Sequence, residues 1–237
     1  MKLLLVTRLY SGFEPSLKSL KWDPEGVPTI YNLINKISKL HKVSIIFTAK
    51  DSGKTYSSNW LERSDLNLNI NKLNANIKVL SGIKYFPSFF PRKLTMILRD
   101  FRQLIKVVIY ILNKKPTLIY CDSANVVIAY ILTIIFPRKP IVVRVLGVCS
   151  FWRSILDSKR LVHKVYKLAF KGKFACVIGT QDGSGIEYWF KDVLRKDVLR
   201  KVLLNGVESN KKINDSMNKN KKILFVGRLE NYKGIII

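Results

Sequence analysis

Acidic side chains, cysteine and histidine are all scarce in this 237-residue sequence, and each scarcity removes a class of explanation. Cys121, Cys149 and Cys176 are odd in number and widely spaced, which excludes a disulfide framework, and without a Cys-x-x-Cys pair they make no zinc site. They read as small buried hydrophobes in a reducing compartment. The two histidines, His41 and His163, lie on different elements without neighbouring cysteines or carboxylates, so no metal site is expected. No apolar run reaches the roughly 18 residues of a membrane-spanning helix; the longest, Ala124 to Phe136, contains Asn125. The opening Met1-Lys2-Leu3-Leu4-Leu5-Val6 reads as too brief for a signal peptide, because Arg8 interrupts it. Sixteen acids against 42 Lys and Arg leave a formal net charge of +26, which predicts attraction to phosphates, nucleic acid or an anionic membrane without choosing among them. With 48% hydrophobic residues, the chain is rich enough in apolar side chains to bury a full core, which rules out a disordered tail.

What is present is a rhythm. Apolar runs of a few residues alternate with stretches of helical period, the pattern of a parallel sheet with helices on its faces. Strands are predicted at Leu3 to Thr7, Val43 to Thr48, Ile77 to Leu80, Leu118 to Cys121, Ile141 to Leu146, Ala175 to Gly179 and Val202 to Leu204. Helices are predicted from Pro28 to Leu40, Pro91 to Asn113, Asn125 to Phe136, Ile155 to Phe170 and Gly185 to Arg200. The fold class is therefore α/β, a doubly wound Rossmann-like parallel sheet. Polar Ser209 to Lys222 reads as a linker ahead of one more strand, Ile223-Leu224-Phe225-Val226. The organisation expected is a domain over 1–207, a linker over 208–222 and the start of a second domain over 223–237, cut in mid-element at Ile237. A tandem pair, Asp192-Val193-Leu194-Arg195-Lys196 and Asp197-Val198-Leu199-Arg200-Lys201, is too short to be an architectural repeat.

The most specific string is Phe225-Val226-Gly227-Arg228-Leu229-Glu230-Asn231-Tyr232-Lys233-Gly234. It sets two cations just past the carboxyl end of a strand, where open α/β sheets bind ligands, and a glycine lets a phosphate approach the backbone. Read from the residues alone, a turn with two solvated cations is also open. The string resembles the Gly-Arg-Leu-x-x-x-Lys-Gly segment of family-4-type retaining glycosyltransferases of the GT-B fold. Upstream, Leu203-Leu204-Asn205-Gly206-Val207-Glu208 is similar to the Pro-Asn-Gly-Val-Asp signature that closes the amino-terminal domain of that family, with Leu204 for Pro and Glu208 for Asp. Softer matches are Ala175 to Thr180, and Gly26-Val27-Pro28 before a helix ending Leu40-His41-Lys42-Val43. The resemblance implies that Arg228 and Lys233 bind the diphosphate of a nucleotide-sugar donor, with retention of configuration and without a metal or other cofactor. It also implies a glycan or lipid-linked acceptor held by the amino-terminal domain. Leu146 stands where the family often has histidine, a longer loop from Tyr10 to Val27 replaces a tight Gly-Gly, and the family's glutamate pair would fall past Ile237.

Three positions are candidates for the acceptor cleft. Gly12 lies in the loop after the first strand, where backbone N–H groups could meet a phosphate, or where an ordinary surface loop would serve. Asp122 ends a strand and could take a proton from an acceptor hydroxyl, or simply cap a helix. Gly147 follows the Ile141 to Leu146 strand. In the helix from Pro91 to Asn113, Leu94, Ile97, Leu98, Phe101, Leu104, Ile105, Val108 and Leu112 share one side, while Arg92, Arg99, Arg102 and Lys106 share the other. The apolar side is expected to pack on the sheet, with the basic side solvated or facing anionic lipid. Ser52-Gly53-Lys54-Thr55 lacks the glycine a Walker loop requires, since Thr48 stands there.

These readings converge on a glycosyltransferase fragment that is cytoplasmic and peripheral at the inner face of a membrane. The alternative is a non-enzymatic basic module for anionic membrane or nucleic acid. Scattered aromatics and the lack of any nucleic-acid-binding signature argue against the nucleic-acid version.

Overall fold

A computed structural model describes residues 1–24, 28–50, 64–71 and 73–204. Eight strands form in chain order: β1 (Lys2–Arg8), β2 (Lys42–Thr48), β3 (Leu66–Leu68), β4 (Ala75–Leu80), β5 (Leu118–Asp122), β6 (Ile141–Val145), β7 (Cys176–Thr180) and β8 (Leu199–Leu203). Seven helices accompany them: α1 (Glu14–Ser19), α2 (Pro28–Leu40), α3 (Arg92–Lys114), α4 (Val126–Ile135), α5 (Ser150–Ser154), α6 (Leu161–Ala169) and α7 (Ile186–Val193). Gly26, Val27, the Ser52 to Thr55 string, Asn205 to Glu208, the 208–222 linker, the expected strand at Ile223, and both Arg228 and Lys233 lie outside the described residues.

The strands make one sheet in the order β3-β4-β2-β1-β5-β6-β7-β8, parallel throughout except for antiparallel β3 at the edge. Both faces of the sheet are covered, so a central strand such as β1 is a continuous apolar run whose alternate residues serve two cores. Leu3 and Leu5 join Leu17 of α1 and Ile30 and Ile34 of α2 on one face. Leu4 and Val6 join Val107 and Ile111 of α3, Leu132 of α4 and Phe190 of α7 on the other. The fold is the expected doubly wound α/β sheet, and successive connections diverge from β1 and β5, which are neighbours.

The structure moves several predicted boundaries. The helix expected to run to Arg200 ends at Val193, and Leu199–Leu203 pairs in parallel with β7 as a further strand. The two Asp-Val-Leu-Arg-Lys copies thus take different forms, the first closing α7 and the second entering β8, because the free edge of β7 offers a backbone ladder only to the second. Of the helix expected from Ile155 to Phe170 only Leu161–Ala169 forms, as α6; residues 155–160 are turn and loop, and the short α5 before them was not predicted. Helix α1 and strand β3 were not predicted.

The largest correction concerns α3, whose covered stripe is a mixed one rather than the expected apolar side, although Leu104 and Val108 of that side pack partly against the core. Its buried positions are Thr95, Arg99, Gln103, Val107 and Ile111. Its outward stripe is Leu94, Ile97, Phe101, Ile105, Ile109 and Leu112, with Ile97 66% and Phe101 59% exposed. Of the cations expected to face lipid together, Arg99 is only 4% exposed and Arg102 is paired with Asp65, whereas Arg92 and Lys106 are exposed. The cause is the carboxyl edge of the sheet, where strand-end carbonyls need donors. Gln103 Nε2 donates to the carbonyls of Ala49 and Ser81, each at 3.1 Å, and Arg102 donates to Asp65, which also accepts from the Ser81 amide. Tyr85 lies against the Arg102 guanidinium, 3.8 Å from ring centroid to carbon.

Candidate active site at the carboxyl edge of the sheet

Open α/β sheets bind ligands beyond the carboxyl ends of their strands, where the chain direction of the connections reverses. Here that crevice falls between β1 and β5, and three of the predicted residues belong to the loops beside it. Gly12 is in a short 3-10 turn (Ser11–Phe13) after β1, Asp122 closes β5, and Gly147 follows β6. The topology therefore gathers Gly12, Asp122 and Gly147 along one edge of three adjacent strands.

Asp122 is a brace. Its carboxylate is completely buried. Oδ2 accepts the Thr7 hydroxyl at 2.9 Å, the Arg8 amide at 2.6 Å and the Tyr10 hydroxyl at 3.3 Å, while Oδ1 accepts Asn125 Nδ2 at 2.8 Å. The Asn125 side-chain oxygen in turn accepts the Thr48 hydroxyl at 3.0 Å. One carboxylate thus ties the ends of β1, β2 and β5, and its oxygens are engaged with donors of the protein itself rather than aimed at an acceptor hydroxyl. Nor does it cap a helix through its side chain, since it turns back toward β1. Tyr10 is held as a donor: burial first, and then the charge of Asp122, raise its phenol well above the usual value, against the opposing charge of Arg8. The Arg8 guanidinium lies 5.8 Å from the Tyr10 ring centroid.

A second charged group lies past the end of β2. Lys50 Nζ meets Asp100 Oδ1 at 2.8 Å and Arg99 Nη2 meets the same oxygen at 2.9 Å. Burial lowers the Lys50 ammonium pKa despite the Asp100 carboxylate beside it. Burial pushes the Asp100 carboxyl up, but the two cations outweigh it and hold it below the ordinary carboxylate value. Asp100 is the most exposed member of the trio.

The third group joins the loops after β6 and β7. Arg144 is buried and donates to Thr180 Oγ1 at 2.9 Å; burial lowers its guanidinium pKa, and the neighbouring Tyr120 opposes the shift. Gly147 takes φ +136°, and a Cβ there would stand 2.2 Å from an Asp182 carboxylate oxygen. This glycine therefore serves both the backbone conformation and the approach of Asp182. Asp182 Oδ1 accepts the Ser184 amide and Ser184 Oγ accepts the Val148 amide, each at 3.0 Å, and Arg153 Nη2 donates to the Ser184 carbonyl at 3.0 Å. Leu146, at the resembled family's histidine position, packs against the apolar core beneath.

Sequence reading missed Tyr10, Lys50, Arg144 and Asp182, whose surroundings include Asp122, Asp100, Thr180 and Gly147 respectively, each 35 or more residues away in sequence. Of the cysteines, Cys121 is buried, Cys176 half-buried and Cys149 exposed, so the expectation of burial fails at Cys149. Among the described residues, no group of three or more His, Cys, Asp or Glu is placed to hold a metal ion. An open depression of about 480 Å³ lies at the opposite, amino-terminal edge, lined by Lys2, Lys39, His41, Lys42 and Lys115 among others. It is far from the strand ends and loops that make the crevice.

The fold and this edge define a doubly wound α/β domain with a braced, charged crevice at its switch point. No family model matches the chain, and no curated protein matches it. Among solved structures it is similar to Arabidopsis thaliana UGT89C1 complexed with quercetin, at 11% identity and TM-score 0.49, covering 88% of this chain and 52% of that one. A UDP-glucosyltransferase from Polygonum tinctorium gives 10% identity and TM-score 0.47, with 98% and 56% covered. UDP-N-acetylglucosamine 2-epimerase from Rickettsia bellii gives 11% and 0.45, with 85% and 44% covered. The chain spans about half the length of these proteins. At that level of likeness nothing about its activity follows from them.

Proposed function

We propose that the chain is the acceptor-side part of a glycosyltransferase that moves a hexose-type sugar from a nucleotide-sugar donor to a lipid-linked or cell-surface glycan, with retention of configuration. The observation that carries this reading is the pair of ordered motifs, Leu203 to Glu208 and Phe225 to Gly234, which resemble signatures of family-4-type GT-B enzymes. The first motif begins at Leu203, the last residue of β8. In this reading Arg228 and Lys233 bind the donor diphosphate and balance the charge that develops as it leaves, so no metal ion is needed for that step. The crevice over β1, β5 and β6 receives the acceptor, with the loops at Gly12 and Gly147 forming its walls and Asp122 keeping its floor rigid. The protein works at the cytoplasmic face of a membrane, and polysaccharide synthesis is the setting that such an acceptor fits.

The test is a transfer assay on the complete gene product with nucleotide-sugar donors, the anomeric configuration of the product being read by NMR. Lys233→Ala and Arg228→Ala are each expected to lower kcat/KM by about 10²-fold. Unchanged turnover in both would remove the donor-site assignment, and an inverted product would remove the family.

A further inference from the structure

We propose that the outward stripe of α3 lies in the headgroup boundary of an anionic lipid bilayer, so that the protein docks through an apolar helix face rather than through the basic face of that helix. Leu94, Ile97, Phe101, Ile105, Ile109 and Leu112 repeat at intervals of three and four residues along about 27 Å of helix, and all are exposed. Apolar faces of this kind are normally buried, and an exposed one marks an interaction site. The rest of the same helix layer repeats the feature. Leu161, Val162, Val165 and Leu168 of α6 point outward, as do Ile134 and Ile135 at the end of α4, and α4 is packed against both α3 and α6. These three helices carry more than half of the large apolar side chains that the described residues expose. Ahead of α3, Phe89 is 80% exposed and stacked on Phe90.

Charge selects the occupant. From Arg92 to Lys173 the sequence has only three acids, Asp100, Asp122 and Asp157; Asp122 is buried and Asp100 is already paired with Lys50 and Arg99. Exposed Arg92, Lys93, Lys106 and Lys164 flank the apolar residues. A second copy of a chain with net charge +26 would bring like charges together around this layer, whereas anionic headgroups complement them. Among the described residues no helix is long and apolar enough to cross a membrane, so α3 lies along the surface. Aliphatic side chains and a phenylalanine at the centre, with cations at the margins, are what the acyl and headgroup depths respectively accept.

The inference stands apart from the transferase reading, because its assay involves neither donor nor acceptor. The full chain is sedimented with vesicles of phosphatidylcholine and phosphatidylglycerol in equal amounts, and separately with phosphatidylcholine alone. Binding to the mixed vesicles is expected, and Phe101→Asp with Ile105→Asp should weaken it by about tenfold or more. Leu40→Asp, at an exposed apolar position on the other side of the sheet, should leave it unchanged. The mutated side chains are exposed, so melting temperatures should stay near that of the parent, and this is checked for each variant. Three results would overturn the proposal: no binding to mixed vesicles, binding that high salt abolishes but the paired Asp substitutions leave intact, or a dimer in sedimentation velocity that Phe101→Asp dissociates. The second would assign the attraction to net charge alone, and the third would assign the face to a second copy.

Discussion

Replacing Asp122 tests whether the crevice floor is a brace or a catalytic base. In Asp122→Ala the hydroxyl of Thr7, the amide of Arg8, the hydroxyl of Tyr10 and the side-chain amide of Asn125 all lose their acceptor. Thr7 and Asn125 are buried, and leaving a buried donor unpaired costs about 1–3 kcal/mol. Arg8 and Tyr10 are better placed to recruit water, and removing the carboxylate returns its own desolvation cost. The net expectation is a loss of about 3–5 kcal/mol, or roughly 2 M in urea midpoint for a domain of this size. Asp122→Asn keeps the shape but turns an NH₂ toward a donor, so it should fall between the parent and the alanine variant. Tyr10→Phe, which gives up only the 3.3 Å bond, should cost about 1 kcal/mol. Urea unfolding followed by circular dichroism measures all three. If Asp122→Ala stays within about 1 kcal/mol of the parent, the bracing argument fails. If it does so while abolishing sugar transfer, Asp122 is the base that its strand-end position first suggested.

Two further perturbations probe the neighbouring groups. Gly147→Ala places a Cβ against Asp182 in a backbone conformation that L residues rarely adopt, and should cost about 2–3 kcal/mol in thermal unfolding; adding Asp182→Ala should recover only part, since the φ strain remains. Complete recovery would show that the clash alone fixes this position. Asp100→Asn removes the carboxylate charge that Lys50 and Arg99 share and should cost about 2 kcal/mol near neutral pH, a value discounted for the partial exposure of Asp100. Because the folded-state carboxyl is held below its ordinary value, its contribution is complete above that ordinary value and disappears as pH falls through the folded one. The difference between parent and variant should therefore shrink in acid, and a gap that stays constant down to pH of about 2 would exclude the charge explanation.

The central sheet was readable because β1, β2 and β6 are buried on both faces and so appear as mainly apolar runs, interrupted only by Ser44 in β2 and Arg144 in β6. Strand β3 has only three residues, Leu66-Asn67-Leu68, and takes its form from pairing with β4, which no local pattern announces. Helix α1 is six residues with Pro15 in its first turn, short enough to pass for loop. In α3 the period predicted the helix but not which stripe of it is covered, and the buried positions mix Thr95, Arg99 and Gln103 with Val107 and Ile111. That was decided by Gln103 and Arg102 meeting the carbonyls and carboxylate beyond β2 and β4, and those partners are 21 to 54 residues away in sequence. Asp122 was legible as a strand-end carboxylate, whereas Thr7, Arg8 and Tyr10, which set its role, precede it by more than a hundred residues.

The outward apolar stripe of α3 connects the carboxyl edge to the surface on which the protein would work. The first turns of the helix sit at the carboxyl edge of the sheet, since Asp100 meets Lys50 there and Gln103 reaches the carbonyls beyond β2 and β4. The polar side of those turns organises the edge, while Ile97 and Phe101 on the opposite side face outward within the same turns. A bilayer lying along the outer stripe would therefore run one helix diameter, about 10 Å, outside the polar contacts that these turns make beyond β2 and β4. Under the proposed function, a lipid-linked acceptor would approach the carboxyl edge from this surface while its chains stayed in the membrane. An inward stripe whose first turns carry Thr95, Arg99 and Gln103, set against an outward apolar one, serves both needs with a single element.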